Sequence, residues 1–194
     1  DISARKWYHF LCNMQIREVK RTMNEVMNNI LTRRSVRRYK PEPVERRLID
    51  TVIEAGLYAA SGMNRQSAIF IPVTDRALRD RLSAMNAAVM GREGIDPFYG
   101  APAVIIVLAD KAAPTYVYDG ALAMGNMMLA AHSLGLASCW VHRAKEEFES
   151  AEGREILDSL GIHGDYEGIG HLILGYAGGE YPAPAPRAEG RVFG

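Results

Sequence analysis

The chain has very few cysteines and no long apolar run. Only Cys12 and Cys139 occur among its 194 residues, too few for a disulfide framework, which favours a reducing cytoplasm as its location. No apolar stretch reaches the roughly 18 to 20 residues that a membrane-spanning helix needs. The first residues also lack the continuous apolar segment and small-residue cleavage site of a signal peptide. We therefore expect a cytoplasmic protein with no membrane partner.

Several common catalytic motifs are missing as well. The sequence contains neither the Gly-x-Ser-x-Gly of a hydrolase nucleophile nor a phosphate-binding Gly-Lys-Ser/Thr element. Gly168-Ile169-Gly170 begins a Gly-x-Gly, but the apolar residues 172–174 follow it where a dinucleotide fingerprint would start a helix. The sequence therefore does not indicate a Rossmann-type site at this position.

Composition indicates an ordinary globular protein. Hydrophobic residues make up 48% of the chain and charged residues 24%, and the length suits one domain. Residues 1–22 differ from the rest because they mix aromatic and basic residues without a helical or strand period. We expect residues 1–22 to be an N-terminal extension and residues 23–194 to form the functional domain. The alternative is that the extension is a helix that packs on a partner subunit.

The net charge is zero, but it is unevenly distributed. Residues 1–47 carry 12 Lys or Arg against 5 Asp or Glu, whereas residues 48–194 carry 11 against 18. A basic segment of this kind can bind nucleic acid, bind a small anionic ligand, or form a solvated surface. The charge count by itself leaves these three interpretations open.

Within the basic part, the arginines are concentrated in Arg33-Arg34-Ser35-Val36-Arg37. Three guanidinium groups and a hydroxyl within five residues can surround a phosphate with forked, charge-assisted donors. The other interpretation is a helix end that carries exposed arginines. Spacing alone does not decide between the two.

Hydrophobic periodicity predicts a sheet with helices around it. Strands are expected over residues 68–73, 103–108, 137–141 and 170–176, and helices over 24–31, 44–57, 75–90, 119–136 and 145–160. Pro72 suggests that the first strand lies at a sheet edge or has an irregular end. Helix 119–136 has so little polar surface that we expect it to be buried nearly all round. Strands and helices do not alternate strictly, which favours an α+β fold with a mixed central sheet flanked by helices.

Four segments, taken in order, resemble the nitroreductase family. They are the basic segment 33–39, the small and polar loop 59–66, the apolar segment 126–140, and the proline-rich tail that ends near Arg187. Together they cover roughly residues 24–191. Each segment is weak evidence alone, but their order and spacing are similar to those of the family.

The resemblance implies an intertwined homodimer that binds flavin mononucleotide (FMN) at the subunit interface. The basic segment would contact the phosphate and ribityl chain, and the loop would reach the flavin from the second subunit. Residues 139 and 140 would lie along the flavin ring, and a basic residue of the tail would close on the phosphate. The cofactor-binding residues implied in this way are Arg33, Arg34, Ser35, Arg37, Ser61, Met63, Asn64, Gln66, Cys139, Trp140 and Arg187.

The resemblance also implies a function. NAD(P)H would reduce the flavin, which then passes electrons to a nitroaromatic, a quinone or a similar acceptor. The sequence identifies no catalytic side chain, because the flavin carries the redox chemistry and protons can come from water. The alternatives are a different flavin reaction in the same fold, such as reductive dehalogenation, and a basic-armed nucleic-acid-binding protein that uses residues 1–47.

The chain departs from the family pattern beside the loop. Family members commonly have Pro-Trp after the Gln, where this chain has Ser67-Ala68, and Ala60 replaces a usual Pro. These differences put the packing over that edge of the flavin pocket, and the substrate preference, in question.

Histidine and cysteine do not indicate a metal site. Cys139 and His142 have a Cys-x-x-His spacing with His132 upstream, but no second ligand pair accompanies them, so no metal is expected. We interpret His171, in the last predicted strand, as a hydrogen-bonded or an exposed histidine rather than a base.

Overall fold

The computed structural model of the protein describes residues 24–193. The chain divides into two compact units, Asp1–Arg33 and Arg34–Gly194. In the first unit, the described residues form helix α1 (Glu25–Thr32), which begins where the Asn24 side chain accepts a hydrogen bond from the Met27 amide at 2.9 Å. None of the α1 residues is buried. The rest of the predicted extension, residues 1–22, lies outside the described residues.

The second unit contains five helices and four strands among its described residues. The helices are α2 (Arg46–Leu57), α3 (Arg76–Val89), α4 (Tyr116–Ser133), α5 (Ala144–Glu149) and α6 (Ala151–Ser159). The strands are β1 (Ala68–Val73), β2 (Ala103–Asp110), β3 (Ala137–Val141) and β4 (Tyr166–Gly175). A single 3-10 turn, Gly62–Asn64, precedes β1. No described helix is long and apolar enough to cross a membrane.

The four strands form one sheet in the order β1-β2-β4-β3, with antiparallel pairing throughout. A parallel bridge between Ser35 and Ser138 extends the sheet beyond β3. The predicted α+β class with a central sheet and flanking helices is confirmed. Pro72 lies on β1, which is an edge strand as its proline suggested, because proline cannot donate to a neighbouring strand.

Alternating side chains of the strands build two cores, one on each face of the sheet. On β2, residues 104, 106 and 108 face α3, α5 and α6, whereas residues 103, 105, 107 and 109 face α2 and α4. All of these β2 side chains are buried, which explains why the strand is a continuous apolar run in the sequence. We call the two sides the α3 face and the α4 face.

Most element boundaries follow the hydropathy pattern. The predicted bounds of β1 and β3 agree with the structure, and β4 begins at Tyr166 rather than at residue 170. The helix predicted over 145–160 is instead two helices, because Ser150 has an extended backbone and its hydroxyl caps the Gly153 amide at 3.0 Å. A local cap of this kind interrupts a helix without changing its hydrophobic period.

The expectation that the long apolar helix is buried nearly all round is wrong for this chain. Helix α4 ends at Ser133, before Gly135 with its positive φ of 75°, and its inner side packs on the sheet. Its outer side, however, leaves Tyr118 72% exposed and Leu122 52% exposed. The helix contains no Lys or Arg, and its single acidic residue, Asp119, is buried. The exposed side of α4 therefore carries no charged side chain.

The loop before β2 is held to α3 by Asp96. Its carboxylate accepts hydrogen bonds from the Arg79 guanidinium and Ser83 hydroxyl, both at 2.6 Å, and from the Gly100 amide at 2.7 Å. Burial raises the pKa of Asp96, but these hydrogen bonds lower the pKa more, so the carboxyl titrates below its usual range. Residues 91–100 thus form an anchored loop beside α3.

His171 belongs to a buried polar network on the α3 face. Its Nε2 lies 3.0 Å from Oε2 of Glu147, and neither side chain has any exposed surface. The other Glu147 oxygen accepts from the Asn86 amide, whose oxygen in turn accepts from Arg143 at 3.0 Å. The network ties α3, α5 and β4 together and gives Nε2 of His171 a partner, whereas its buried Nδ1 has none among the described residues.

Replacing Glu147 with Ala should lower the free energy of unfolding by about 3 kcal/mol, because His171 and Asn86 would lose a buried acceptor. The measurement is urea unfolding at a fixed protein concentration. Glu146, the residue next to Glu147, is exposed and provides the matched control. For Glu146→Ala we expect the free energy of unfolding to change by less than about 0.5 kcal/mol. Equal stability of the two variants would contradict the network's role.

Candidate functional site

The basic segment lies along the edge of the sheet, next to β3. The Val36 amide donates to the Ser138 carbonyl at 3.1 Å, and Ser35 forms the parallel bridge with Ser138. Farther along, Tyr39 bridges Ala177, the residue that follows the end of β4 by two positions. Val36 is 3% exposed, so its side chain fixes the segment against the core. The fold thereby brings Ser35 beside the β3 residues that precede Trp140.

The polar side chains of this segment remain accessible. Arg34 and Ser35 are half-buried and Arg37 is exposed. The Tyr39 hydroxyl donates to the Val36 carbonyl at 2.8 Å, and burial raises the pKa of Tyr39, so it stays protonated. Arg33 is the residue after α1 and belongs to the first unit. Arg34, Ser35 and Arg37 thus form a cationic edge beside β3.

Trp140 and Cys139 point to opposite faces of the sheet. The Cys139 thiol is buried in the core of the α3 face at 2% exposure, so any contact of Cys139 with a ligand would use its backbone. Trp140 packs on the α4 face, and its indole covers Gly170, where an added Cβ would lie only 2.1 Å from the indole Nε1. That buried Nε1–H has no acceptor among the described residues. An unsatisfied buried donor is costly, and this one lies against β4 rather than on the surface.

The loop before β1 has an unusual backbone. Met63, Asn64 and Gln66 have positive φ angles of 51°, 54° and 48°. Residues other than glycine rarely adopt such backbone angles. The Ser61 hydroxyl accepts from the Gln66 amide at 3.0 Å, and the Gln66 side-chain amide donates to that of Asn64 at 3.1 Å. The side chains of residues 63, 64 and 66 are all exposed. Strained and exposed polar residues of this kind are typical of a ligand-binding loop.

The sheet register separates this loop from the basic segment. Ser138 pairs with Leu174, which pairs with Ala103, whereas Ala68 after the loop pairs with Ala109 at the other end of β2. Six residues along β2 and four strand spacings across the sheet place the loop and the basic segment about 25 Å apart, at diagonally opposite corners. One copy of the chain therefore does not bring all of the predicted site residues together.

The C-terminal tail is extended beyond β4. The ring of Tyr181 lies 5.7 Å from that of His132 at the end of α4, and burial raises the pKa of Tyr181. Arg187 is exposed, ten residues beyond the Tyr39–Ala177 bridge. Its predicted contact with a phosphate remains a prediction.

Ser67-Ala68, which replace the family's common Pro-Trp, have distinct surroundings. The Ser67 hydroxyl is buried and donates to Asp119 at 2.8 Å. Ala68 lines a cavity of about 70 Å³ between the loop and helices α2 and α4, which Phe70 also lines. This volume is small compared with the roughly 300 to 1,000 Å³ of typical ligand pockets.

Asp119 is the residue of this region that the sequence did not identify. Its carboxylate lies beneath the loop and accepts from the Gly62 amide at 3.0 Å. The available signal was a single acidic residue in an otherwise uncharged helix, but its partner is 57 positions away in the sequence. No cluster of three or more His, Cys, Asp or Glu in residues 24–193 has an arrangement that could hold a metal ion.

Comparison with known proteins gives a consistent result. Residues 30–176 match the model of the nitroreductase family. A protein of Methanothermobacter thermautotrophicus described as an NADH dehydrogenase or NAD(P)H nitroreductase is 32% identical over 121 residues, which cover 60% of each chain. An FMN reductase [NAD(P)H] of Bacillus subtilis is 28% identical over 60% of this chain and 53% of its own length.

A solved structure shares the fold over nearly its whole length. The nitroreductase of Bacteroides fragilis with bound FMN superposes with a TM-score of 0.81 at 29% identity, covering 88% of this chain and 98% of that one. The chain thus spans just over half of the length of the two relatives above, but almost all of this structure.

The strain in the loop can be measured at Met63, whose side chain is 77% exposed. Because glycine adopts positive φ at no steric cost, Met63→Gly should be more stable than Met63→Ala by about 1 kcal/mol. Both variants lose the same side chain, so each is the control for the other. In an ordinary helix the order would be reversed, and finding alanine the more stable would show that the left-handed backbone is absent in solution.

Proposed function

The chain belongs to the nitroreductase family, and from this we propose that it is an FMN-dependent oxidoreductase that passes electrons from NAD(P)H to a nitroaromatic, quinone or similar acceptor. The names of its relatives support the donor and the cofactor, since one is an FMN reductase [NAD(P)H] and another is described as an NADH dehydrogenase or NAD(P)H nitroreductase. The B. fragilis structure with the same fold contains FMN. Bound FMN would supply the two-electron chemistry.

The observation that carries the proposal is the pairing of a cationic segment with the Trp140 side chain at one sheet edge. Ser35 lies beside Ser138, and Trp140 follows two residues later with its buried Nε1–H lacking an acceptor among the described residues. A phosphate would pair with the arginines, and an aromatic heterocycle would pack beside the Trp140 side chain, which is only partly buried. A phosphorylated aromatic cofactor such as FMN therefore fits the residues present.

The proposed roles follow from the chemistry of the side chains. Arg34 and Arg37 bind the phosphate through charge-assisted hydrogen bonds, and the Ser35 hydroxyl adds a neutral donor. Trp140 offers one donor and an apolar surface. Asn64 and Gln66 each present an amide, which supplies both a donor and an acceptor to a ring edge. None of these groups needs to transfer a proton, so we assign no catalytic acid.

We further propose that the site is completed by a second copy of the chain. The basic segment and the loop lie about 25 Å apart within one copy, too far for one flavin to contact both. Large apolar side chains are also exposed in the loop, just before it and on α4, namely Leu57, Tyr58, Met63, Tyr118 and Leu122. Exposed apolar side chains grouped in this way are typical of protein interfaces. In the proposed homodimer the interface includes both these side chains and the basic segment, so that the loop of one copy lies beside the basic segment of the other.

Three parts of the proposal rest on the sequence alone. The sequence pattern supports Arg33 and Arg187 as further phosphate contacts. It also supports residues 23–194 as the functional domain and a cytoplasmic location. The cytoplasmic location is supported by the small number of cysteines, of which Cys139 is a buried free thiol.

The function is tested by the visible spectrum of the pure protein. We expect a yellow protein, or a colourless one that becomes yellow with FMN, whose colour is bleached by NADH or NADPH without oxygen. Addition of a nitroaromatic or a quinone should restore the colour. A protein that cannot be loaded with FMN would overturn the proposal, and one that is bleached but reoxidised only by other acceptors would favour the alternative flavin reactions.

The phosphate contact is tested with Arg34→Ala and Arg37→Ala. Each should weaken FMN binding by about 30-fold, because a charge-assisted hydrogen bond contributes roughly 2 kcal/mol. Arg76 is the matched control, since it is an exposed arginine on α3 whose removal changes the net charge equally. Equilibrium dialysis gives the three dissociation constants. If Arg76→Ala weakens binding as much as the others, the effect is general charge rather than a phosphate site.

A further inference from the structure

Asp119 is a buried carboxylate in an apolar helix. It is 4% exposed, and α4 has no Lys or Arg that could pair with it. An ionised carboxylate in such a place is costly unless several donors satisfy it. Three donors do so: the Gly62 amide at 3.0 Å, the Ser67 hydroxyl at 2.8 Å and the Thr115 hydroxyl at 3.2 Å. Two of the three belong to the loop before β1.

These donors lie at the two ends of the strained part of the loop. Gly62 precedes and Ser67 follows the left-handed residues 63, 64 and 66, so one carboxylate fixes both ends of that segment. Gly62 also packs so closely on α4 that an added Cβ would lie 2.2 Å from the Thr115 hydroxyl. The loop is therefore held in one position on the first turn of α4.

Asp119 remains ionised at neutral pH. Burial raises its pKa, but the hydrogen bonds from Gly62, Ser67 and Thr115 lower the pKa more, so the carboxyl titrates below its usual range. Its place in the first turn of α4 adds a favourable interaction with the helix N-terminus. An ionised carboxylate only accepts hydrogen bonds, which matches the three donors around it.

We propose that Asp119 is a positioning residue for the cofactor. It holds the loop of its own subunit in place, and that loop acts on the FMN that is bound by the arginines of the other subunit. The inference rests on the proposed function. Asp119 does not touch the cofactor in this scheme. It keeps Asn64 and Gln66 in the single strained conformation that presents their amides to the flavin, and the strain would be released without it.

The first experiment compares Asp119→Ala with Glu147→Ala. Both variants remove a buried carboxylate and both should be less stable than the parent protein, but Glu147 lies on the α3 face of the sheet, away from the loop. At a temperature well below both unfolding transitions, Asp119→Ala should bind FMN about 30-fold more weakly, whereas Glu147→Ala should stay within about 2-fold. Equal affinity of Asp119→Ala and the parent protein, or an equal loss in Glu147→Ala, would overturn the proposal.

Two milder variants provide the test if Asp119→Ala does not fold. Asp119→Asn keeps an acceptor for Gly62 and can donate to Ser67, so it should recover most of the FMN affinity. Ser67→Ala removes one donor and should weaken FMN binding by about 5-fold. In both cases, amide hydrogen exchange at Gly62 and Gln66 should rise in proportion to the loss of affinity. Loss of affinity with unchanged exchange would contradict a role through the loop.

Mixed dimers decide which subunit's cofactor Asp119 serves. When one subunit carries Asp119→Ala and the other carries Arg37→Ala, a shared site predicts one intact FMN site per dimer and one site with both defects. If Asp119 acts on the FMN of its own subunit, both sites are impaired and no tight site remains, which would overturn the proposal. If the parent protein itself does not bind FMN, the proposed function fails instead, so the two failures are distinguishable.

Discussion

The antiparallel pairing of β2 with β4 at the centre of the sheet is the constraint on which the rest of the structure depends. It fixes β1 and β3 as opposite edges and sets their register, so Ser138 and Ala68 lie at diagonally opposite corners. The basic segment extends the β3 edge, and the strained loop leads into β1. The separation of the basic segment from the loop, the two elements of the proposed site, is therefore a direct consequence of strand order.

In the proposed function, this separation links cofactor binding to the association of two chains. A site divided between opposite corners needs a second copy, and several large apolar side chains near the loop are exposed in a single copy. Tyr118 and Leu122 of α4 and Tyr58 after α2 are exposed, without a charged neighbour on α4. In the proposed dimer the apolar outer side of α4 and the polar loop act together. Burial of the apolar side against the second copy would place the loop at the cofactor.

The two buried carboxylates of the described chain show how the same chemistry serves two purposes. Glu147 connects α3, α5 and β4 through His171 and Asn86, and its effect is on stability. Asp119 connects α4 to a loop that would not otherwise keep three left-handed residues. Each carboxylate accepts hydrogen bonds from several donors. Removing the carboxylate therefore leaves those donors without an acceptor. What differs is whether those donors belong to the core or to the proposed ligand site.

The sequence alone determined the strands, most helix boundaries and the chemical character of the cationic segment, because these depend on periodicity and on residue types close together in the chain. It could not tell that Cys139 faces the core while Trp140 faces α4, since that depends on which face of β3 each core occupies. Nor could an apolar period distinguish a helix buried in the core, as expected for α4, from one with an exposed apolar side.

The tertiary structure alone decided the distance between the halves of the site and the contact of Asp119 with Gly62 and Ser67. Both depend on strand register and on pairs of residues more than 50 positions apart, which local patterns do not encode.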